Sequence, residues 1–294
     1  MKVRSQRHAR PARTELRDSN NKWLATMTDG AHTVTLAGPL RTFSEPTAAH
    51  AVRHGVWVRT LPAPFDGSVD STWLKSALQA NKQAVPDVVA IAMQYIAGAP
   101  VIFEDDLQIA GDAAYGPLTD GKREEGSDFN DYLGIEWVYP EQVDKPEKRQ
   151  RHCLDCSGFI RMVWGYRRHL PKYNYPDTVP LCLKPQKSQR AVPRRAFEID
   201  AAAPGVMIVS NTKVQVKDFS QIGIGDLVFF DADESDGTRI DHIGMYLGLD
   251  AGKHHRFISS RKGANGPTLG DYKGKSILDG TGLYARSFRA VRRL

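Results

Sequence analysis

The 294-residue sequence has few cysteines and no long apolar run. Its three cysteines, Cys153, Cys156 and Cys182, are an odd number, so a complete disulfide framework is not expected. The Cys-x-x-Cys that the first two form has no second cysteine or histidine pair to complete a metal site, and we predict no metal and no cofactor. No segment approaches the roughly 18 apolar residues that a membrane span needs, and we predict no such span.

The N-terminus lacks the apolar stretch that follows the positive charges of a Sec signal peptide, so the sequence alone does not identify the cellular location of the protein. Residues 1–22 hold seven Lys or Arg against two acidic residues and carry most of the net charge of +6. We predict a basic disordered arm over residues 1–24, because such a composition offers little apolar surface to bury. The remaining chain is nearly neutral, and we expect no nucleic-acid partner.

Two strand patterns and one helix pattern follow the basic arm. "HTVTLAG" and "GVWVRTL", between residues 32 and 65, are rich in β-branched residues and bounded by Gly and Pro, which predicts strands. "SVDSTWLKSALQ" predicts a short helix capped by Ser68 or Asp70. We therefore predict an N-terminal β-rich segment over residues 25–84.

The rest of the chain has helix patterns first and strand patterns later. Apolar spacing predicts helices over residues 86–97, with Pro86 in the first turn, and over residues 155–168. The segments 101–150 and 170–215 have no clear periodicity and are expected to be surface loops and a proline-rich irregular stretch. "GDLVFFD", "HIGMYLG" and "HRFISSR" predict three strands, and the C-terminal "GLYARSFRAVRRL" predicts a last one. This order indicates an α+β fold.

Cys156 lies in the first turn of the second of these helices. The helix dipole and unpaired N–H groups at a helix start favour a thiolate, which is the nucleophilic form of cysteine. Cys153 precedes the helix and lacks this advantage. A catalytic cysteine also needs an imidazole, and His242 opens a strand whose Gly244 and Gly248 allow close approach of another backbone or a ligand. From the residues alone, a packing role for the cysteine and a surface role for the histidine remain the alternatives.

Three segments in this order, "DCSGFIRMVW", "GDLVFF" and "HIGMYLG", resemble the NlpC/P60 family of cysteine peptidases, a compact papain-like group that acts on bacterial cell-wall peptides. The resemblance extends weakly to the helix over residues 86–97 and to Tyr115-Gly116. It implies a papain-like NlpC/P60 fold with the nucleophile helix packed on an antiparallel sheet. It also implies a catalytic domain over residues 85–294 and a secreted or cell-wall location.

The resemblance implies a role for each matching residue. Cys156 would attack the scissile carbonyl, and His242 would accept the thiol proton and later protonate the leaving amine. The backbone N–H of Cys156 would help to hold the oxyanion. Tyr115 would line the site, and Asp155 and Ser157 would contact the substrate peptide. Asp155 would also serve as the helix N-cap.

Two features depart from the family pattern. The third catalytic position, which orients the imidazole, aligns with Ser259, while His254 and His255 come earlier near the turn, are expected to be exposed, and are the alternatives. The spacing of 86 residues between the nucleophile and His242 is longer than expected for a minimal member. The surplus falls in residues 170–215, which either shape the cleft or form a surface loop.

The resemblance implies a cysteine endopeptidase that hydrolyses an amide in peptidoglycan stem peptides, with a γ-D-glutamyl–diamino acid bond as the commonest family substrate. The alternative keeps the site but changes the acceptor: an acyltransferase or amidase of the same fold that acts on a non-wall substrate. The absence of a recognisable signal peptide favours this alternative. A third class, an inactive binding module, is disfavoured because Cys156 and His242 are both present.

Overall fold

The computed structural model of this chain describes residues 3–46, 49–170, 177–185, 190–233, 235 and 237–294. Two large antiparallel sheets, three two-stranded hairpins and several short helices make up the described structure. This arrangement confirms the mixed α+β class. Among the described residues, no helix combines the length and the apolarity needed to cross a bilayer.

The N-terminal sheet has five antiparallel strands in chain order, and a helix packs on it. The helix is α1 (Ser71–Lys82), and Asp70 caps it by accepting from the backbone N–H groups of Thr72 and Trp73. Asp70 is one of the two caps expected from the sequence. The strands are β1 (Arg4–Ala9), β2 (Ala12–Arg17), β3 (Trp23–Thr28), β4 (Thr33–Ser44) and β5 (Ala51–Thr60).

The structure corrects the expectation of a disordered arm for residues 4–17, which form β1 and β2. Leu16 is buried in the core between the sheet and α1, and Arg7 forms a two-pronged ion pair with Asp29. The net charge of the segment predicted disorder, but from Arg13 onward β2 alternates half-buried and fully buried positions, as a strand packed on one face does. The predicted boundary at residue 24 falls inside β3.

The central part of the chain contains more structure than the expected surface loops. The helix predicted over residues 86–97 is α2 (Val88–Ala92), continued by a 3-10 turn (Met93–Tyr95), and it starts after the N-cap Asp87. The helix α3 (Phe129–Leu133) is fully buried, so residues 101–150 are not only surface. Three two-stranded hairpins surround it: β6 (Ile102–Glu104) with β7 (Leu107–Ala110), β8 (Leu118–Thr119) with β9 (Lys122–Arg123), and β10 (Trp137–Val138) with β11 (Val143–Asp144).

The C-terminal sheet has six antiparallel strands in the order β12-β17-β13-β14-β15-β16. The three strands expected from the motifs are β13, β14 and β15. The final segment differs from expectation, because it begins as a helix and only then becomes a strand. The elements from here on are α4 (Cys156–Arg161), α5 (Ala196–Ala202), β12 (Val206–Val209), β13 (Leu227–Phe230), β14 (His242–Leu249), β15 (His255–Arg261), β16 (Gly266–Thr268), α6 (Leu283–Ser287) and β17 (Phe288–Arg293).

The helix α4 packs against β14 and β15 and continues as a π-helix, Met162–Tyr166. Phe159 and Ile160 of the helix lie in one apolar core with Ile243 of β14 and Ile258 of β15. Val58 of the N-terminal sheet belongs to the same core. The first turn of α4 is therefore held over the start of β14.

Candidate active site

Cys156 is the first residue of α4, and its thiol faces the backbone at the start of β14. Asp155 caps the helix by accepting from the Gly158 N–H at 2.7 Å. The Cys156 thiol lies 4.0 Å from the Asp241 carbonyl oxygen, to which it donates, and the Ile243 N–H donates to its sulfur. Since His242 lies between these two residues in the chain, the fold brings the thiol of the predicted nucleophile to the backbone on either side of the predicted base.

Gly158 lets α4 approach the chain ahead of α3. A Cβ atom at this position would lie 2.2 Å from the Ser127 carbonyl oxygen, which is far inside van der Waals contact. The glycine of the "DCSG" motif is therefore a packing requirement. It sets the position of the helix start that carries Cys156.

His242 opens β14 and hydrogen-bonds β15 through its side chain. A hydrogen bond of 3.0 Å joins its Nε2 to the Ser259 Oγ, and both residues are buried. Gly244 makes this possible, because a Cβ there would lie 2.8 Å from the Ile258 carbonyl oxygen. The expected role of Gly244 in close backbone approach is confirmed.

Burial dominates the ionisation of both groups. It raises the pKa of the Cys156 thiol, and the Asp155 carboxylate adds to this, while Arg194 and the Ile243 N–H act in the opposite direction. Burial, with the charge of Arg261, lowers the pKa of His242 to about 3. The helix start therefore does not by itself produce a thiolate, contrary to the sequence expectation.

The two alternative histidines have other partners. His254 is exposed, as expected, and its Nδ1 pairs with Asp279 at 2.6 Å. His255 is half-buried, which differs from expectation, because its ring stacks on Phe219 with centroids 4.2 Å apart. Its Nδ1 shares a 2.8 Å hydrogen bond with the hydroxyl of Tyr246.

Tyr115 lies beside the nucleophile. Ala114 pairs with Cys153 in a parallel bridge, which ties the Tyr115 segment to the chain leading into α4. Burial and the negative charges of Cys156 and Asp155 raise the pKa of the Tyr115 phenol. Its own backbone N–H donates to the Asn265 side chain at 3.3 Å.

Asp155 and Ser157 are engaged inside the protein by a residue that the sequence analysis missed. Arg194 donates to the two oxygens of Asp155 at 2.7 and 3.2 Å and to the Ser157 hydroxyl at 2.7 Å. Asp155 also accepts from Ser157 and from the Gly126 N–H, both at 3.1 Å. Arg194 lies in the irregular stretch, where no periodicity marked it.

Tyr284 of α6 is a second residue that the sequence analysis missed. Its ring centroid lies 5.2 Å from that of His242, and the Arg261 guanidinium lies 5.3 Å from it. The segment was expected to be a strand, which would have given no reason to place this side chain at the site. Tyr284 therefore packs beside the imidazole, and Arg261 packs on the Tyr284 ring.

A cavity of about 450 Å³ lies between the N-terminal sheet and the turn after β15. Glu45 and His50 line it from the sheet side, and Asn265 lines it from the turn. Because Asn265 binds the Tyr115 N–H, this cavity adjoins the segment that carries Tyr115. The candidate nucleophile and base do not line it.

The other cysteines take no part in this geometry. Cys153 is buried with its thiol 3.7 Å from the Arg151 carbonyl oxygen, and burial raises its pKa. Cys182 is buried, and all three cysteines are free. Across the described ranges, no group of three His, Cys, Asp or Glu side chains is arranged to hold a metal ion.

Residues 146–266, which include Cys156, His242 and Ser259, match the sequence profile of the NlpC/P60 family. Among solved structures, the chain is similar to the crystal structure of an NlpC/P60 family protein from Bacillus cereus. The identity is 14%, the coverage is 99% of this chain and 78% of that chain, and the TM-score is 0.31. No sequence among the curated proteins matches the chain. The family match confirms the resemblance inferred from the three motifs.

Proposed function

We propose that this protein is a cysteine peptidase that hydrolyses amide bonds in bacterial cell-wall peptides, because residues 146–266 match the sequence profile of the NlpC/P60 family. The bond is a γ-D-glutamyl–diamino acid amide of the peptidoglycan stem. The observation that carries the proposal is that the Cys156 thiol contacts the backbone of Asp241 and Ile243, on either side of His242, whose imidazole is held by Ser259. Nucleophilic cysteine catalysis needs a thiol and an oriented imidazole within reach of each other.

The first step transfers the thiol proton to the imidazole. Since Ser259 engages Nε2, the Nδ1 of His242 is the nitrogen that receives the proton. The sulfur then forms a bond to the scissile carbonyl carbon, and the carbonyl electron pair moves onto oxygen. The backbone N–H of Cys156 and the phenol of Tyr115 stabilise the resulting oxyanion by hydrogen bonding.

The second step breaks the carbon–nitrogen bond. The imidazolium of His242 gives its proton to the leaving amine, and a thioester to Cys156 remains. Water, deprotonated by the neutral imidazole, attacks the thioester, and the product carboxylic acid and the thiol are released. Because its pKa is lowered to about 3, the imidazole of the free enzyme is unprotonated at neutral pH, and the same burial makes it a weaker base.

One observation favours the second candidate, an amidase or acyltransferase of the same mechanism on a non-wall substrate. Asp155 and Ser157, which the family resemblance assigns to the substrate peptide, are hydrogen-bonded to Arg194. A substrate that relied on them would have to displace a buried ion pair, which costs several kcal/mol. A substrate whose acyl group is recognised by residues other than Asp155 and Ser157 would not have to break this ion pair.

The decisive experiment incubates the protein with purified muropeptides and detects new amine termini by mass spectrometry. Cleavage that Cys156→Ala abolishes and Cys153→Ser preserves is the expected result. A parallel incubation contains a millimolar amine acceptor, and amide products in place of carboxylic acids would favour acyl transfer. Intact muropeptides under both conditions, with Cys156 open to alkylation, would contradict the wall-peptidase proposal.

A further inference from the structure

Arg194 reaches the nucleophile from the irregular stretch between α4 and α5. Its side chain is only 15% exposed, and its guanidinium contacts Asp155 and Ser157 at 2.7 Å each. Its Nε also lies 3.5 Å from an oxygen of Asp128. The residues that follow form α5, so Arg194 is held by an ordered element and not by a loose surface loop.

The charge of Arg194 is directed mainly at Asp155. Asp128 already has a full partner, because the Nε of Arg161 lies 3.0 Å from each of its oxygens. Asp155 has no other cation among its described contacts. The pair is buried, so salt screens it far less than a surface ion pair.

This pairing matters because Asp155 adjoins Cys156. A carboxylate next to a sulfur opposes negative charge on that sulfur. Asp155, which caps the helix, is the residue directly before the nucleophile. Glu125 also opposes it, but this side chain is exposed and pairs with Lys262 at 2.5 Å. The titratable groups whose charges interact with the Cys156 thiol are Asp155, Arg194, Glu125, Tyr115 and Tyr284. His242 lies in the chain between the two residues whose backbone groups contact the thiol.

We propose that Arg194 is a positioning residue for the nucleophile: it neutralises Asp155, so that this carboxylate can cap α4 without opposing the thiolate of Cys156. The inference rests on the proposed role of Cys156 as nucleophile. It gives the long insertion between nucleophile and base a function, since the insertion supplies the cation that the helix start needs. Of that insertion, residues 171–176 and 186–189 lie outside the described structure.

The test measures the ionisation of Cys156 without any substrate. The rate of alkylation by iodoacetamide is followed against pH, and peptide mass spectrometry separates Cys156 from the other two cysteines. The full-length chain is compared with Arg194→Gln, Arg194→Lys, Asp155→Asn and the double variant Arg194→Gln/Asp155→Asn. Asparagine caps a helix as well as aspartate does, so Asp155→Asn removes the charge and keeps the cap.

In the Arg194→Gln variant, Cys156 should be alkylated at least about tenfold more slowly at pH 7, because a nearby opposite charge shifts a pKa by about 1–3 units. Cys156 of the Asp155→Asn variant should be alkylated faster than Cys156 of the natural protein. In the double variant the alkylation rate should be close to that of the natural protein. Arg194→Lys should restore most of the rate. Arg195→Gln, the exposed neighbour, is the matched control and should not change it.

A folded Arg194→Gln variant with an unchanged pH midpoint would overturn the proposal. If that variant does not fold, Asp155→Asn decides, and an unchanged midpoint there has the same consequence. A natural protein that cleaves no muropeptide yet shows the expected alkylation pattern would leave this inference standing while the proposed substrate fails. Muropeptide cleavage by the natural protein, combined with an Arg194→Gln variant whose alkylation has an unchanged pH midpoint, would support the proposed substrate and overturn the role of Arg194.

Discussion

The Nε2 of His242 and the Oγ of Ser259 are joined by a 3.0 Å hydrogen bond across β14 and β15, in a buried position. This bond leaves Nδ1 of the imidazole for the thiol proton and ties the ring orientation to a neutral hydroxyl. A serine stabilises the imidazolium less than a carboxylate would. The pair is therefore expected to orient the base more than to raise its basicity.

Ser259→Ala should lower kcat about tenfold with little change in stability. A neutral hydrogen bond nets about 0.5–1.5 kcal/mol, and 1.4 kcal/mol corresponds to tenfold in rate. Ser259→His should retain activity if a ring nitrogen can replace the hydroxyl. Steady-state kinetics of the variants provide the measurement, with His254→Ala and His255→Ala as controls. Loss of activity in a control, with Ser259→Ala unaffected, would move the third position to that histidine.

Cys156→Ala should abolish activity and leave the fold intact, while Cys153→Ser should have little effect. The Cys156 thiol contacts the carbonyl of Asp241, next to the proposed base, whereas the Cys153 thiol contacts only a local carbonyl in the described structure. A thiol-directed electrophile followed by peptide mass spectrometry should label Cys156 first. Faster labelling of Cys153 would count against this assignment.

Leu16→Ala should lower the free energy of unfolding by about 2–5 kcal/mol, because it empties a buried leucine site. Leu16 of β2 is 1% exposed, although it lies in the segment whose composition suggested disorder. Leu40→Ala is the matched control, since Leu40 of the same sheet is 58% exposed. Urea unfolding of the two variants measures the difference, and equal midpoints would mean that β2 does not contribute to the core.

Gly244→Ala should reduce both stability and kcat. The added methyl would lie 2.8 Å from the Ile258 carbonyl oxygen, so β14 must shift from β15 and stretch the bond between His242 and Ser259. Overpacking of this kind costs about 1–3 kcal/mol. Gly282→Ala, where the nearest atom is 3.9 Å away, is the control for thermal melting and kinetics. A fully active Gly244→Ala variant would show that the close approach is dispensable.

The unfolding free energy should fall as the pH drops from about 6.5 toward 3, partly because of His242. Its pKa is lowered to about 3 in the folded protein, so in this window the unfolded chain binds a proton at His242 that the folded chain does not. His242→Gln should therefore lose less stability on acidification. His254→Gln is the opposite control, because Asp279 raises the pKa of His254 and that stabilisation is lost as pH rises. Parallel pH slopes for the His242 variant and the natural protein would contradict the prediction.

Local pattern was sufficient for the elements that carry the motifs. The alternation of "HIGMYLG" and the neighbouring β-branched runs predicted β13, β14 and β15, because a strand buried against a core has a sequence signature of its own. The N-cap role of Asp155 was also readable, since a cap depends only on the residues that follow it. The order of the three motifs was enough to predict the family resemblance, which the match over residues 146–266 confirms.

Contacts between distant parts of the chain were decided only by the tertiary structure. Arg194 approaches the site from the irregular stretch before α5, and Tyr284 approaches it from α6. Neither has a neighbour in sequence that points to Cys156 or His242. The same holds for Leu16, whose burial depends on α1 packing over the sheet. Burial also reversed the expected pKa of Cys156, because desolvation of the thiolate outweighs the helix dipole once the sheet covers the thiol. Composition and periodicity describe a residue and its near neighbours, whereas desolvation and ion pairing depend on what the fold places around it.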